Sequence, residues 1–340
     1  MMRERFATRA RPLQLWVNAI ARLYAGVLFS SSLRVGGLVF FATLLTPRAG
    51  ALGLIAVITA AISARGAGLI SSAKELSPYG YSALYLGLGA SQTFANAVPA
   101  CALATCGAIA AVLLSAGIGH WTGRIGLPAL SLPFLIVYSG ALAAGRVLGA
   151  DWAGLALTID HDVRWVWPVT LSLRALAGLV WSPEPLAGLL LLLALAVHGR
   201  SALLLTGLAL SAPLLLDRIL SLEASHVLLG ALINSVLVAL GLGCCWFSPS
   251  PSSFVRAGMG VLLCTMLTAC LAEPLGRLGV ATLSLPFNLS AFVMLLASRQ
   301  SARADGHTSV GAMHMGVASQ LLAVPALATA VGPSIRKEKP

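Results

Sequence analysis

Apolar residues run through the chain in long stretches that short polar or Gly- and Pro-rich breaks interrupt. Ala95–Gly119, Leu186–Val197, Val227–Phe247 and Val255–Leu271 are runs of this kind. A helix needs about 20 apolar residues to cross a bilayer, so the pattern predicts a polytopic helical membrane protein with about ten crossings once loops are removed.

The pattern is also said twice. Gly-Leu-Pro-Ala-Leu-Ser-Leu-Pro-Phe at Gly126–Phe134 returns as Gly-Val-Ala-Thr-Leu-Ser-Leu-Pro-Phe at Gly279–Phe287. Arg22-Leu-Tyr-Ala-Gly26 returns as Arg174-Ala-Leu-Ala-Gly178, and Gly36 and Arg48 find counterparts in Gly188 and Arg200. Each half opens on a short Gly-broken apolar stretch after an arginine (Leu23–Phe29; Ala175–Trp181), followed by a polar turn and further spans. A small polar patch comes later, Gly80-Tyr81-Ser82-Ala83 against Leu232-Ile233-Asn234-Ser235, and the half closes on the Leu-Ser-Leu-Pro-Phe phrase with its following helix. Pro133 and Pro286 remove a backbone donor and disfavour helix just upstream. Backbone broken in this way is tolerated at membrane depth only where it lines a cavity or is buried in protein. Internal duplication with interrupted helices is a common sign of a transporter or channel. Matched phrases predict two half-sites facing one another, with equal contributions from both.

Composition agrees: 58% of the 340 residues are hydrophobic and 10% charged, with mean hydropathy +0.90. The net charge of +11 would raise nucleic acid as a partner in a soluble chain. Here the basic residues sit in tails and loops, with Arg3, Arg5, Arg9 and Arg11 leading and Arg336, Lys337 and Lys339 ending the chain, so no nucleic acid is expected. The positive-inside rule puts both termini in the cytoplasm, and Asp151, Asp160 and Asp162 in the mid-chain linker suit the opposite face. An odd number of spans per half, five, then makes the repeats inverted. The expected organisation is a cytoplasmic segment over 1–20, a first repeat with its external linker over 21–165, a second repeat over 166–300, and a C-terminal segment over 301–340. Val317–Val331 in that last segment is read as peripheral. All six cysteines fall in apolar runs without CxxC spacing and are read as buried small hydrophobes.

The 11 acidic residues lie mostly at loops or ends. Intramembrane carboxylates and histidines are the usual marks of ion coupling, so the chain reads as a passive conductor, with no metal and no cofactor. No His/Asp or Glu/Glu constellation recurs at helical spacing, which argues against an enzyme. The interior keeps hydroxyl, amide and aromatic groups: Ser131, Ser284, Asn234, Asn288, Tyr81, Tyr85, Phe29 and Trp181. Uncharged donors and acceptors among flat rings suit a small neutral polar solute. An ion would need charged or dense carbonyl coordination. Read from the residues alone, ammonia, a short amide or water stays open as the solute, and so does a membrane-embedded enzyme or scaffold.

These phrases resemble the urea transporter family, whose halves each close on Leu-Thr-Leu-Pro-Phe-Asn. Leu130-Ser131-Leu132-Pro133-Phe134 and Leu283-Ser284-Leu285-Pro286-Phe287-Asn288 look like it. Gly80-Tyr81-Ser82-Ala83-Leu84-Tyr85-Leu86-Gly87 is similar to the family's Gly-Tyr-Asn-Gly-x-Leu-x-Gly, and Ile233-Asn234-Ser235-Val236-Leu237 to its Phe-Asn-Ser-x-Leu. The resemblance covers Arg22–Arg146 and Arg174–Ala297. It implies an all-α fold of two inverted repeats, each with about five transmembrane helices and one re-entrant, half-spanning pore helix. It also implies a homotrimer in the inner (plasma) membrane of a bacterium, with urea passing through a narrow slot in each protomer. Carried over by position, Ser131 and Ser284 are the central hydroxyls, and Phe29, Trp181, Tyr85 and Leu237 are slot walls, with Tyr81, Ile233 and Asn234 beside them. The chain departs from the family pattern at Gly26 and Gly178, where polar side chains are usual. Ser82 and Leu135 stand where asparagines are usual, and both central threonines are serines.

Overall fold

In a computed structural model of the chain, residues 2–149, 167–220, 225–278 and 280–304 are described. The linker acids Asp151, Asp160 and Asp162, Gly279, and the tail with its Val317–Val331 stretch lie outside them. Thirteen α-helices form among the described residues. The first half contains α1 (Met2–Ala25), α2 (Leu33–Leu44), α3 (Pro47–Gly66), α4 (Ser77–Thr93), α5 (Ala97–Ala102), α6 (Ala108–Arg124) and α7 (Leu132–Val147). A π-turn over Leu103–Gly107 joins α5 and α6 into one span. The second half contains α8 (Trp167–Gly178), α9 (Pro185–His198), α10 (Arg200–Leu220), α11 (Ser225–Leu240), α12 (Pro251–Arg277) and α13 (Leu285–Ala304).

Prolines mark many of the starts. Pro47, Pro78, Pro133, Pro185 and Pro251 each occupy the first turn of a helix, where the missing N–H has no intrahelical partner to lose. At the opening elements the structure differs from the sequence pattern. The Gly-broken stretches do not start after Arg22 and Arg174. They are the ends of α1 and α8, which run straight through both arginines. Nothing breaks either helix before Gly26 and Gly178, and the 20/21 division falls inside α1.

Both halves use the same neighbours. α1 packs on α2 as α8 does on α9, α3 on α4 as α10 on α11, and α4 on α6 as α11 on α12. α6 packs on α7 as α12 does on α13. Two glycines show how closely the copies match. A Cβ on Gly36 would lie 1.9 Å from the carbonyl oxygen of Ala21, and one on Gly188 would lie 1.9 Å from that of Leu173. Only glycine lets α2 and α9 approach the backbones of α1 and α8 so closely.

The halves meet through α2 against α9 and α7 against α13. Thr46, just past the end of α2, bonds Ser182, just before α9, with the two hydroxyl oxygens 3.0 Å apart. The end of one helix therefore meets the start of the other, and the pair runs antiparallel, as inverted repeats require. Among the described residues five helices are long and apolar enough to cross a membrane, and Leu13–Leu28 with Leu33–Leu44, bent by 80°, counts as a sixth if the pair is taken as one span. The apolar helices α7 and α9 are shorter, with 16 and 14 residues. At 1.5 Å per residue α9 is about 21 Å long, against a hydrocarbon core of about 30 Å.

The outer surfaces are apolar. Val255, Met259, Leu262 and Met266 form one exposed stripe along α12, and Ile55, Ile58 and Ile62 another on α3, as a hydrocarbon solvent demands. Three cysteines belong to this exterior. Cys101, Cys106 and Cys270 are exposed, Cys244 is half-buried, and only Cys245 and Cys264 are buried. The expectation that all six are interior is corrected: an apolar run in a membrane protein has a lipid-facing side as well as a packed one.

Candidate functional site

Four non-glycine residues among those described have positive φ: Phe29 (54°), Leu130 (50°), Trp181 (56°) and Leu283 (44°). They are two repeat-related pairs. Left-handed backbone is costly for a residue with a Cβ and collects at functional sites, where the surrounding structure holds it.

Phe29 and Trp181 end the opening helices in the same way. The N–H of Phe29 donates to Gly26 O and that of Ser30 to Ala25 O, while Trp181 and Ser182 donate to Gly178 O and Ala177 O. This is the arrangement that normally takes a glycine at the left-handed position. Here an aromatic residue takes that position in both halves, and its ring packs on rings from other elements. The carbonyls of Val27 and Leu28, and of Leu179 and Val180, belong to last turns that offer no further intrahelical donor.

Leu130 and Leu283 turn the chain into Ser131 and Ser284, which immediately precede the starts of α7 and α13; the Ser131 side chain caps no N–H group of α7. The Ser131 hydroxyl donates to Ser284 Oγ across 2.8 Å. Two helix N-termini thus meet head to head at the centre, each equivalent to roughly half a positive charge. From α13, the Arg299 guanidinium donates to the carbonyls of Ile125 and Gly126, holding the turn that leads to Ser131.

A cavity reaches this centre from each side. The first, of about 20 Å³, is lined by Gly26, Phe29, Tyr81, Leu130, Ser131 and Phe287, together with Leu23 and Ser77. It has room for about one water molecule. The second, of about 450 Å³, takes in the repeat equivalents Gly178, Trp181, Ile233, Leu283, Ser284 and Phe134, and also Tyr81, Tyr85, Tyr138, Asn234 and Leu237. Among the described residues, no acidic, basic or histidine side chain lines either one.

Each mouth carries three mutually touching rings. Phe29, Phe287 and Trp246 stand at the first, with ring centres 5.5 Å (Phe29–Trp246), 6.3 Å (Phe29–Phe287) and 6.4 Å (Trp246–Phe287) apart. Trp181, Phe134 and Tyr138 stand at the second, at 5.3 Å (Tyr138–Trp181), 6.3 Å (Phe134–Trp181) and 5.2 Å (Phe134–Tyr138). Tyr85 extends the second set, 5.7 Å from Phe134 and 4.9 Å from Tyr81.

Phe29 lines the first cavity; Trp181, Tyr85, Ile233, Leu237, Asn234 and Ser284 line the second; Ser131 and Tyr81 border both. The structure therefore brings all nine residues singled out from the sequence to the two cavities. Phe134, Phe287, Tyr138 and Trp246 were not among them. The two phenylalanines were legible in the repeated phrase itself, and Tyr138 lies one helical turn beyond Phe134. Nothing in the sequence marks Trp246, whose ring arrives from the far end of the α11 span.

The expected equality of the two half-sites does not hold. Asn288 bonds Ser131 and Ser284 from α13, whereas its repeat equivalent on α7 is Leu135, which has no polar group to offer.

The model of the urea transporter family matches residues 17–162 and 169–335. A search among curated proteins gave no match. The matched segments take in both broken helix ends, both helix starts that follow a serine and nearly all of the chain between them. On that coverage the chain belongs to the urea transporter family, a family of membrane transport proteins rather than enzymes.

Proposed function

We propose that the chain conducts urea passively, down its gradient, between the two aromatic mouths and past Ser131 and Ser284. The observation that carries this reading is the meeting of the two serine hydroxyls, 2.8 Å apart, between ring sets that border a cavity on either side. Urea is flat and neutral. Stripping its water costs several kcal/mol unless hydrogen bonds replace it. Last-turn carbonyls at the mouths are acceptors for its amide protons, and the central hydroxyls bond it midway.

A cation meets a different landscape. Two helix N-termini oppose it electrostatically at the centre, and no carboxylate among the described residues lines either cavity. A solute passing between the serines exchanges their mutual bond for its own, a net change of about 1 kcal/mol, which is small enough for rapid transit.

The unit of function under this proposal is one slot per protomer in a homotrimer of the bacterial inner membrane, with both termini cytoplasmic. The nine residues named from the sequence form its substrate path, joined by Phe134 and Phe287. The test is stopped-flow light scattering of proteoliposomes. Urea-driven swelling that ignores imposed membrane potential and pH gradients supports a passive channel. Accumulation of urea against its gradient, or permeability no greater than that of empty liposomes, overturns it.

A further inference from the structure

The hydrogen bonds at the centre have a direction. The backbone N–H of Ser131 lies 3.2 Å from Asn288 Oδ1. A backbone N–H can only donate, so the amide oxygen must face it. Asn288 Nδ2 is then the atom 2.9 Å from Ser131 Oγ and 2.7 Å from Ser284 O, and both of those accept. Asn288 is fully buried, and these contacts admit one amide orientation. Ser131 Oγ therefore receives a proton from Asn288 and passes its own to Ser284 Oγ. The hydroxyl proton of Ser284 is left for the cavity.

A second asparagine stands beside it. Asn234 Nδ2 donates to Gly230 O and Leu283 O, both at 2.9 Å, which uses both of its protons. Its Oδ1 is buried with no partner, and the residue is 3% exposed and lines the larger cavity. A buried acceptor left unpaired costs free energy, and such groups call for an explanation. Leu283, which Asn234 holds, immediately precedes Ser284, so an unpaired acceptor enclosed in the wall of the larger cavity stands beside the free donor. The first half has neither feature, with Leu135 in place of Asn288 and Ser82 in place of Asn234.

We propose that Asn288 is a positioning residue that sets the direction of the Ser131–Ser284 bond, so that Ser284 O–H and Asn234 Oδ1 together read the C=O/N–H edge of a carboxamide. The inference rests on the urea-conducting reading and adds to it where the solute is recognised, by which atoms, and on which side of the centre. The C=O of urea, formamide or another unsubstituted amide accepts from Ser284, while the neighbouring N–H donates to Asn234. Thiourea has the same plane and the same N–H groups, but its sulfur accepts hydrogen bonds poorly.

The experiment compares urea with thiourea in proteoliposomes of the full chain. The wild type favours urea. Asn288→Leu, the residue that the first half carries, lowers the urea/thiourea ratio about fivefold, as expected for one misdirected hydrogen bond. Ser284→Ala, which removes the reading donor, lowers it at least as far, and Ser131→Ala, which acts through Ser284, lowers it less. A purely structural asparagine would slow both solutes by one common factor. An unchanged ratio in Asn288→Leu, or a Ser131→Ala effect as large as that of Ser284→Ala, overturns the proposal. The serine pair decides the matter by itself should Asn288→Leu fail to assemble. Absence of wild-type urea flux would instead overturn the channel reading and the present inference with it. Wild-type flux with an unaltered ratio overturns the inference alone.

Discussion

The two mouths share a backbone and differ in what fills it. Each is made by a helix ending on a left-handed aromatic residue and a helix starting opposite just after a serine. In the first, Trp246 backs Phe29 and Phe287 and about 20 Å³ remains. In the second, Tyr138 backs Trp181 and Phe134, and a cavity of about 450 Å³ opens beside them. Trp246 and Tyr138 are not repeat equivalents. After duplication, the close helix contacts and turn geometry were constrained by backbone sterics, whereas the third ring of each set could come from any neighbour able to reach. The backbone is the conserved quantity between the halves, and the packing against it is where they diverged.

The comparison breaks most severely at the glycines. Gly36→Ala and Gly188→Ala each place a methyl group 1.9 Å from a carbonyl oxygen. Each should destabilise the protein by about 3 kcal/mol or prevent folding, read as a lowered thermal midpoint in detergent. Similar losses in both confirm the backbone equivalence; a loss in only one denies it. The next largest effect is at the centre. Ser131→Val/Ser284→Val keeps side-chain size and removes both hydroxyls. With about 1–3 kcal/mol for each unpaired solute group, urea permeability should fall at least tenfold in correctly assembled protein, and normal flux would remove the serines from the path.

The difference in width supplies a third test. Trp246→Leu should raise the acetamide/urea permeability ratio by about threefold, less than the roughly tenfold or more that direct contact with an apolar pocket gives, because Trp246 acts through Phe29 and Phe287. Tyr138→Leu, beside a cavity already wide, should leave the ratio unchanged. The reverse ranking would make the second mouth limiting. Gly178→Gln is milder. Its Cβ would sit 2.6 Å from Ile233 Cδ1 and 3.2 Å from Cγ1, so the flexible end of one side chain must yield, at about 1 kcal/mol. The adjoining space accommodates the rest, and urea flux should stay within about fivefold of wild type. Complete loss of flux in assembled protein would show that the rings already fill that mouth.

The smallest effect expected is that of pH. Flux should be level between about pH 5.5 and 8, because among the described residues no group that titrates there by its ordinary pKa lines the cavities. Outside the spans, Glu75 has its carboxyl held below the usual range, chiefly by the backbone N–H of Ser71 and further by the Ser72 and Ser71 hydroxyls. A depressed carboxyl stabilises the folded loop above its unfolded pKa, and that contribution is lost as pH falls through the lowered folded value. Glu75 is half-buried, and only acid well below about pH 5.5 should loosen the α3–α4 connection, seen as faster proteolysis there. A bell-shaped flux profile near neutrality would point to a titrating group in the path.

Much of this could be read from the chain because membrane helices write their periodicity and breaks plainly. Two copies of Leu-Ser-Leu-Pro-Phe locate two helix starts, since Pro133 and Pro286 disfavour helix upstream of them, and the repeat spacing pairs Phe29 with Trp181 without any structure. The same reasoning misplaced the cysteines, because hydropathy does not separate a lipid-facing side chain from a packed one. It treated Arg22 and Arg174 as boundaries although a helix passes through an arginine whose long stem reaches a polar edge.

The sequence by itself determined the all-helical class, the duplication, the neutral interior and the serine pair, because each depends on local composition or on spacing along one chain. Only the tertiary structure decided that α7 and α13 meet head to head, that Trp246 packs behind the rings of one mouth, and that Asn288 bonds the central serine of the other half. Those facts depend on contacts between residues more than a hundred positions apart. Single amide groups orient by hydrogen bonds that no pattern of hydropathy records.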